Sequence, residues 1–127
     1  VSAGAVDVAM SYRNDVPGDA GLSIQIYAEV EGQDTELLRF DCFANAPHYH
    51  YGPQGKDQRY DLDPLTHEDT IGWVITQLRE KLPQMIAKAE YETVVGAMDH
   101  AAVVAALPEI ERRWRALEVV TEAPAGH

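Results

Sequence analysis

Cysteine is almost absent from this chain: of 127 residues, only Cys42 carries a thiol. A single thiol cannot form an internal disulfide bond, which favours a reducing compartment. No apolar run approaches the roughly 20 residues that span a bilayer. The first residues show neither the basic nor the apolar segment of a signal peptide. We therefore expect a cytoplasmic protein that does not enter membranes.

Basic side chains are also few. Ten Lys and Arg residues are set against 21 Asp and Glu residues, which gives a net charge of −11 at pH 7. A field of this sign repels phosphate backbones and anionic lipid surfaces, so non-specific binding to nucleic acid is disfavoured. The densest basic cluster, at residues 112–115, is flanked by Glu109, Glu111 and Glu118, and this predicts a solvated helix face.

Two widespread catalytic motifs are missing as well. The chain has no glycine-rich phosphate loop and no Gly-x-Ser-x-Gly sequence. The phosphate-loop nucleotide hydrolases and the α/β-hydrolases are therefore excluded as close models for its chemistry.

Alternation of apolar and polar residues dominates the first half of the chain. Residues 6–12, 22–30, 36–43, 48–51 and 59–62 follow this period of two, which predicts four to five strands with one buried face. On the third strand, Leu38, Phe40 and Cys42 fall on the buried face and Leu37 on the opposite one. Residues 31–34 predict a hairpin turn in which Gly32 can take a positive φ. Links this short exclude crossover helices, so we predict an antiparallel β-meander over residues 1–63.

After residue 64 the apolar period changes to three and four. Thr66 followed by Asp69 predicts a helix start, and an apolar stripe continues over residues 71–89. Pro83 interrupts this stripe, and a kink or break is expected there. Pro108 is typical of the first turn of a final helix. We predict two to three helices over residues 64–120 packed on one sheet face, a frayed tail over 121–127, and a single α+β domain over 1–127.

Three pairs of polar side chains fall on matching sides of the predicted strands, since residues two apart on a strand face the same side. The pairs are Arg39 with Asp41, His48 with His50, and Arg59 with Asp61. Aligned across three strands, they would form a polar patch away from the core. A carboxylate would tune a histidine for proton transfer while arginine binds an anionic group. This makes His48, His50, Asp41, Arg39 and Arg59 candidate catalytic residues. The alternative is a solvated sheet face with ion pairs worth roughly tenths of a kcal/mol.

The two histidines also form a His-x-His sequence on one strand, which is a common beginning of a metal site. Such a site needs at least one further ligand. The acidic and histidine residues in range are Asp41, Asp61, Asp63 and His67. The predicted metal set is His48, His50 and Asp61. Beyond such an ion, no cofactor is predicted.

The segment from Arg39-Phe40-Asp41 to Asn45-Ala46-Pro47-His48-Tyr49-His50-Tyr51-Gly52, followed by a short strand and an amphipathic helix, resembles the TumE type of small bacterial toxin. The resemblance covers about residues 20–90. It implies a toxin–antitoxin role with RNA as a target, and it would place His48, His50 and Asp41 at the functional centre.

These patterns favour a small acidic bacterial protein with a non-catalytic binding or accessory role. No complete catalytic set occurs, and residues 94–107 are strongly apolar, so we expect contacts with a protein partner or a second copy of the chain. One alternative is a TumE-like toxin with histidine-centred ribonuclease activity, the only hypothesis that involves nucleic acid. The other is a metal-binding protein that uses the His-x-His strand.

Overall fold

The structure is a computed structural model that describes residues 1–14, 17–53, 56–63 and 69–125. Its first half is one antiparallel sheet in which each strand pairs with its neighbour along the chain, from β1 to β6 in order. The strands are β1 (Ser2–Ala3), β2 (Val6–Arg13), β3 (Gly21–Val30), β4 (Gln33–Phe43), β5 (His48–Tyr51) and β6 (Gln58–Asp61). The predicted meander is confirmed. It has one strand more than expected, because the two-residue β1 pairs with β2.

The hairpin between β3 and β4 turns in two residues. Glu31 and Gly32 have φ angles of 52° and 77°, and positive φ at both positions is typical of the turn that matches the twist of paired strands. The turn is tighter than the predicted span of residues 31–34, since β4 already begins at Gln33. This register sets Ser23 on β3 opposite Asp41 on β4.

A β-bulge in β4 changes which side chains reach the polar face. Ile26 lies opposite Leu38, but the next residue, Tyr27, lies opposite Glu36, so Leu37 is the extra residue. The predicted place of Leu37 on the polar face is therefore wrong, and its side chain is 0% exposed within the apolar core. The same bulge brings Glu36 to the side of Arg39, whose Nη1 lies 3.6 Å from Glu36 Oε1.

Four helices follow the sheet: α1 (Thr70–Glu80), α2 (Leu82–Lys88), α3 (Glu92–Ala97) and α4 (His100–Ala125). The N-cap of α1 is Asp69, whose carboxylate accepts a hydrogen bond of 3.0 Å from the Gly72 amide, while Thr66 lies outside the described residues. Pro83 lies in the first turn of α2, where its missing amide hydrogen is tolerated, so the predicted break is confirmed. Within the described ranges, no helix is long and apolar enough to span a bilayer.

The prediction that Pro108 begins the final helix is wrong, because Pro108 lies inside α4. Val103, Leu107, Ile110 and Trp114 recur at spacings of three and four and are at most 1% exposed. Burying side chains of this size stabilises the fold by roughly 1.5–3 kcal/mol each. Together they outweigh the roughly 3 kcal/mol that an interior proline costs. The structure also places residues 121–125 in α4, where the sequence predicted a frayed tail, while 126–127 lie outside the described residues.

One apolar core lies between the sheet and the helices. The sheet contributes Val6, Val8, Leu22, Ile24, Ile26, Leu38 and Phe40, and the helices contribute Ile71, Val74, Ile75, Leu78, Leu82, Ile86 and the stripe of α4. Trp114 is anchored there by a hydrogen bond of 3.1 Å from its Nε1 to the Ser23 carbonyl. Because apolar and polar residues alternate along β2 to β5, the other sheet face collects the polar side chains.

Candidate functional site

The register of β4, β5 and β6 aligns the three polar pairs. The opposed positions are Arg39 with His50 and Asp41 with His48 across β4 and β5, and His50 with Arg59 and His48 with Asp61 across β5 and β6. The predicted alignment across three neighbouring strands is confirmed. The rings of His48 and His50 lie 5.0 Å apart at an angle of 78°.

Asp41 lies at the centre of this cluster, with 1% of its side chain exposed. Its Oδ1 accepts hydrogen bonds from Ser23 Oγ at 2.8 Å and from Arg13 Nη1 at 3.3 Å. Its Oδ2 lies 3.0 Å from His48 Nε2 and 3.4 Å from Arg39 Nε. Four adjacent strands, β2 to β5, therefore direct a side chain at one carboxylate.

Asp41 is ionised in spite of its burial. Burial alone disfavours the charged form, but hydrogen bonds from His48 and Ser23 and the positive charge of Arg39 hold the pKa of this carboxyl below its ordinary value. Arg39 Nε is itself buried and makes no hydrogen bond within the described ranges, so its approach to Asp41 is a contact of charges. The result is a fixed negative centre surrounded by cations.

Both ring nitrogens of His48 face oxygen atoms. Nδ1 lies 2.8 Å from the Ala46 carbonyl, and since a carbonyl can only accept, Nδ1 carries a hydrogen. Nε2 then faces the Asp41 carboxylate at 3.0 Å. Two lone pairs would repel at this distance, so a positive species must lie between them. A proton or a bound cation shared by the two atoms satisfies this requirement.

His50 has a similar environment. Its Nδ1 lies 2.7 Å from Asp57 Oδ1, and its Nε2 points to Asp41 Oδ2 at 3.8 Å. Asp57 reaches the ring from the turn before β6, where it has a φ of 50°, a conformation that aspartate tolerates better than most residues. The Asp57 amide donates to the Gly52 carbonyl at 2.9 Å, which holds the Asp57 backbone beside the end of β5.

Asp19 positions the loop that holds His48. Its carboxylate accepts hydrogen bonds from the backbone amides of Ala20 and Asn45 at 3.0 Å and of Ala46 at 2.8 Å. Burial disfavours the charged form, yet these amides hold the pKa of Asp19 below its ordinary value. The loop between β4 and β5 is thereby tied to the one before β3, which keeps the Ala46 carbonyl in place against the imidazole.

The predicted metal set changes by one member. Asp61 lies on the edge strand β6, where its side chain is 71% exposed and its Oδ1 pairs with Arg59 Nη2 at 2.9 Å. Asp41 takes its place: one ligand atom from Asp41 and one from each of the two histidines all lie within 4.8 Å of one another. Of the two other candidates, Asp63 is exposed and His67 lies outside the described residues.

A pocket of about 260 Å³ opens over the cluster. It is lined by Arg13, Arg39, Arg59, His48, His50, Asp19, Asp41, Phe43 and Ala46. All five residues predicted as catalytic therefore line one cavity. Three of the ten basic side chains of the chain line this pocket, and each of them also pairs with a carboxylate: Arg13 with Asp41, Arg39 with Glu36 and Asp41, and Arg59 with Asp61.

Four contributors escaped the sequence prediction. Arg13 and Ser23 occupy polar positions of alternating strands, so alternation combined with the hairpin register would have found them. Asp19 and Asp57 lie in turns, and no periodicity indicates where the side chain of a turn residue will reach.

The tyrosines of β5 and β6 form a separate aromatic cluster on the helix side of the sheet. Tyr49 stacks on Phe40 and Tyr60 with ring centroids 5.7 and 5.3 Å apart, and it also contacts Trp73. Burial, followed by the proximity of Tyr49 and Tyr60, raises the pKa of Tyr51 to about 12. Along β5 the tyrosines alternate with the histidines, so the tyrosine rings pack on the helix side of the sheet while the histidines line the pocket on the other side.

A protein-family model matches residues 1–114 and is described as a domain of unknown function, DUF7700. The chain belongs to the DUF7700 family. The matched region includes the whole sheet and every residue that lines the pocket, so the site is part of the domain that defines DUF7700. No curated protein and no solved structure matches the chain. The TumE resemblance stays a prediction.

Proposed function

We propose that this DUF7700 protein is a binding protein for a small anionic ligand, which Arg13, Arg39 and Arg59 would contact in the pocket. The observation that supports this most strongly is the concentration of three of the ten basic side chains around one cavity. Arginine presents a planar set of donors that matches carboxylate and phosphate groups. The surrounding net charge of −11 disfavours large polyanions, so the ligand is expected to be small.

The size of the cavity supports the same class of ligand. At about 260 Å³, the pocket is below the roughly 300–1,000 Å³ of sites for drug-sized molecules. Inorganic phosphate, pyrophosphate or a short polycarboxylate has the appropriate volume and charge. Such a ligand would enter beside Arg59, the most exposed of the three arginines, with 48% of its side chain exposed.

Binding is favoured over catalysis because the histidines are already engaged. Both ring nitrogens of His48 face protein oxygens, and Nδ1 of His50 is held by Asp57. A general acid or base needs a nitrogen within reach of its substrate. The protein partner or second copy also stays part of the proposal, although Val103 and Leu107 of the apolar stretch are buried in this chain's own core.

The test is titration calorimetry of the full chain with sodium phosphate, pyrophosphate and citrate. We expect one of these anions to bind at a single site. Arg59→Gln should weaken binding roughly 10- to 100-fold, because a hydrogen bond to a charged group is worth about 1.5–3 kcal/mol. Arg113→Gln removes the same charge from a residue that pairs with Glu109 on α4, and it should leave the affinity unchanged.

Two outcomes would count against anion binding. In one, none of the three anions binds at millimolar concentration. In the other, Arg59→Gln and Arg113→Gln weaken binding equally, which would show that net charge rather than the pocket determines affinity.

A second candidate is the TumE-like ribonuclease. Two imidazoles whose ring centroids lie 5.0 Å apart beside three arginines are the groups that cleavage of a phosphodiester would use. Expression in bacteria should then arrest growth, purified protein should cleave RNA, and His50→Ala should abolish both effects. Normal growth together with intact RNA would eliminate this candidate.

A further inference from the structure

We infer that Asp41, His48 and His50 bind a divalent first-row transition-metal ion. Asp41 Oδ2 lies 3.0 Å from His48 Nε2 and 3.8 Å from His50 Nε2, and the three residues each place one ligand atom within 4.8 Å of the others. Two imidazoles and one carboxylate on one side of an ion form a ligand set that iron and zinc ions accept in proteins. This inference stands apart from anion binding, because it depends on ring nitrogens rather than on arginines.

The hydrogen bonds on the far side of each ligand are those of a metal site. His48 donates from Nδ1 to the Ala46 carbonyl, and His50 Nδ1 is held by the Asp57 carboxylate. A metal-binding histidine almost always uses its second nitrogen in this way, because the bond orients the ring and leaves the other lone pair for the ion. Ser23 similarly holds Oδ1 of Asp41 and leaves Oδ2 directed at the two rings.

The separations between the ligand atoms are close to those around a single ion. His50 Nε2 lies 3.8 Å from Asp41 Oδ2, too far for a hydrogen bond. Neighbouring ligands at about 2.1 Å from an ion are separated by roughly 3.0–3.4 Å, depending on whether the geometry is octahedral or tetrahedral. A small shift of the His50 side chain would bring its 3.8 Å separation from Asp41 Oδ2 into this range. The 3.0 Å between His48 Nε2 and Asp41 Oδ2 already lies in this range.

The charges around the site and its open side are consistent with a bound cation. Arg13 and Arg39 contact Asp41 and oppose a divalent ion, while Asp57, which holds His50, and Asp19, which binds the Ala46 amide beside His48, favour it. Three protein ligands leave at least one coordination position facing the pocket. A ligand in the pocket would complete the coordination sphere.

The experiment is a titration of the full chain, dialysed against a chelator and then into chelator-free buffer, with Co²⁺ followed by its visible absorption and with Zn²⁺ by calorimetry. We expect one equivalent to bind. Asp57→Asn keeps the fold, because asparagine tolerates the same positive φ, and it should weaken binding roughly 10- to 100-fold by replacing the carboxylate partner of His50 with a neutral amide. The double variant His48→Asn/His50→Asn should lose the Co²⁺ bands.

The matched control is His100→Asn, which removes an imidazole that bonds to the Leu78 carbonyl at 2.9 Å. It should bind one equivalent like the wild type. Circular dichroism and thermal unfolding verify that each variant is folded. Less than one equivalent in the wild type, or equal affinity in the wild type and Asp57→Asn, would overturn the inference. Because these titrations contain no phosphate or carboxylate probe, their failure leaves anion binding untouched, and the reverse also applies.

Discussion

Replacing the central carboxylate by its neutral isostere gives the sharpest test of how the polar face is stabilised. Asp41→Asn keeps the size of the side chain and one oxygen that can accept from Ser23 Oγ. It removes the negative charge that lies 3.0–3.4 Å from His48, Arg13 and Arg39. We therefore expect the variant to fold with the same sheet but to be clearly less stable.

The magnitude follows from these contacts. At an effective dielectric constant of about 20, unit charges about 3.4 Å apart attract by roughly 5 kcal/mol before the cost of desolvation. Breaking a buried ion pair by removing one partner costs about 3–5 kcal/mol. Because the side chains of Arg13 and Arg39 are 29% and 25% exposed, water can partly compensate them. We therefore expect a loss of about 3 kcal/mol.

Urea unfolding followed by tryptophan fluorescence measures this loss. With a slope of about 1.5 kcal/mol per molar urea, the midpoint should fall by about 2 M. Asp34→Asn is the matched control, since Asp34 is an exposed aspartate on the same strand, and it should change the stability by less than about 0.5 kcal/mol. If Asp41→Asn costs no more than Asp34→Asn, the buried carboxylate is not the electrostatic centre of the site.

Three further predictions concern the scaffold. Asp69→Ala should cost about 1 kcal/mol at pH 7, because it removes the N-cap of α1. The hydrogen bond from the Gly72 amide, ahead of all other causes, lowers the pKa of Asp69. The contribution of Asp69 to stability is therefore complete above an unfolded pKa of about 3.9 and is lost as the pH falls through the lower folded value, which acid titrations of both proteins will measure. Gly21→Ala should destabilise the protein by roughly 1–3 kcal/mol, because a Cβ there meets the Cys42 carbonyl. The Cβ of Gly96→Ala meets no atom within 4 Å, so this variant should stabilise α3 by about 0.5 kcal/mol. Equal effects of the two substitutions on urea unfolding would contradict this reasoning. Trp114→Phe should cost roughly 1–3 kcal/mol through the lost bond to the β3 carbonyl and the space left behind, as thermal unfolding will show.

The fold was accessible from the sequence where one periodicity persisted over many residues. Alternation in β2 to β4 predicted both the strands and the buried face, because one apolar and one polar face leave a clear pattern. The bulge at Leu37 could not be predicted, since a single extra residue reverses the pattern without changing composition. Pro108 misled the helix prediction because its local cost was weighed without the tertiary burial of the stripe around it.

The site was partly accessible for the same reason. Residues on one face of neighbouring strands follow from alternation, so the two histidines and Asp41 were found together with Arg39 and Arg59. Choosing between Asp41 and Asp61 required knowledge of which strand lies at the edge, where a carboxylate turns to solvent. Asp19 and Asp57 act from turns, so their contacts depend on tertiary structure that no local pattern encodes.

The order of the strands has a consequence for how the molecule folds. Every strand pairs with its neighbour in sequence, so each hairpin closes a short loop at a small entropic cost. The bond between Trp114 and the Ser23 carbonyl instead joins positions 91 residues apart, and contacts this distant in sequence form slowly. We therefore expect the hairpins that carry the pocket to form early and α4 to dock late. The shape of the cavity would then be set by the sheet before the last helix arrives.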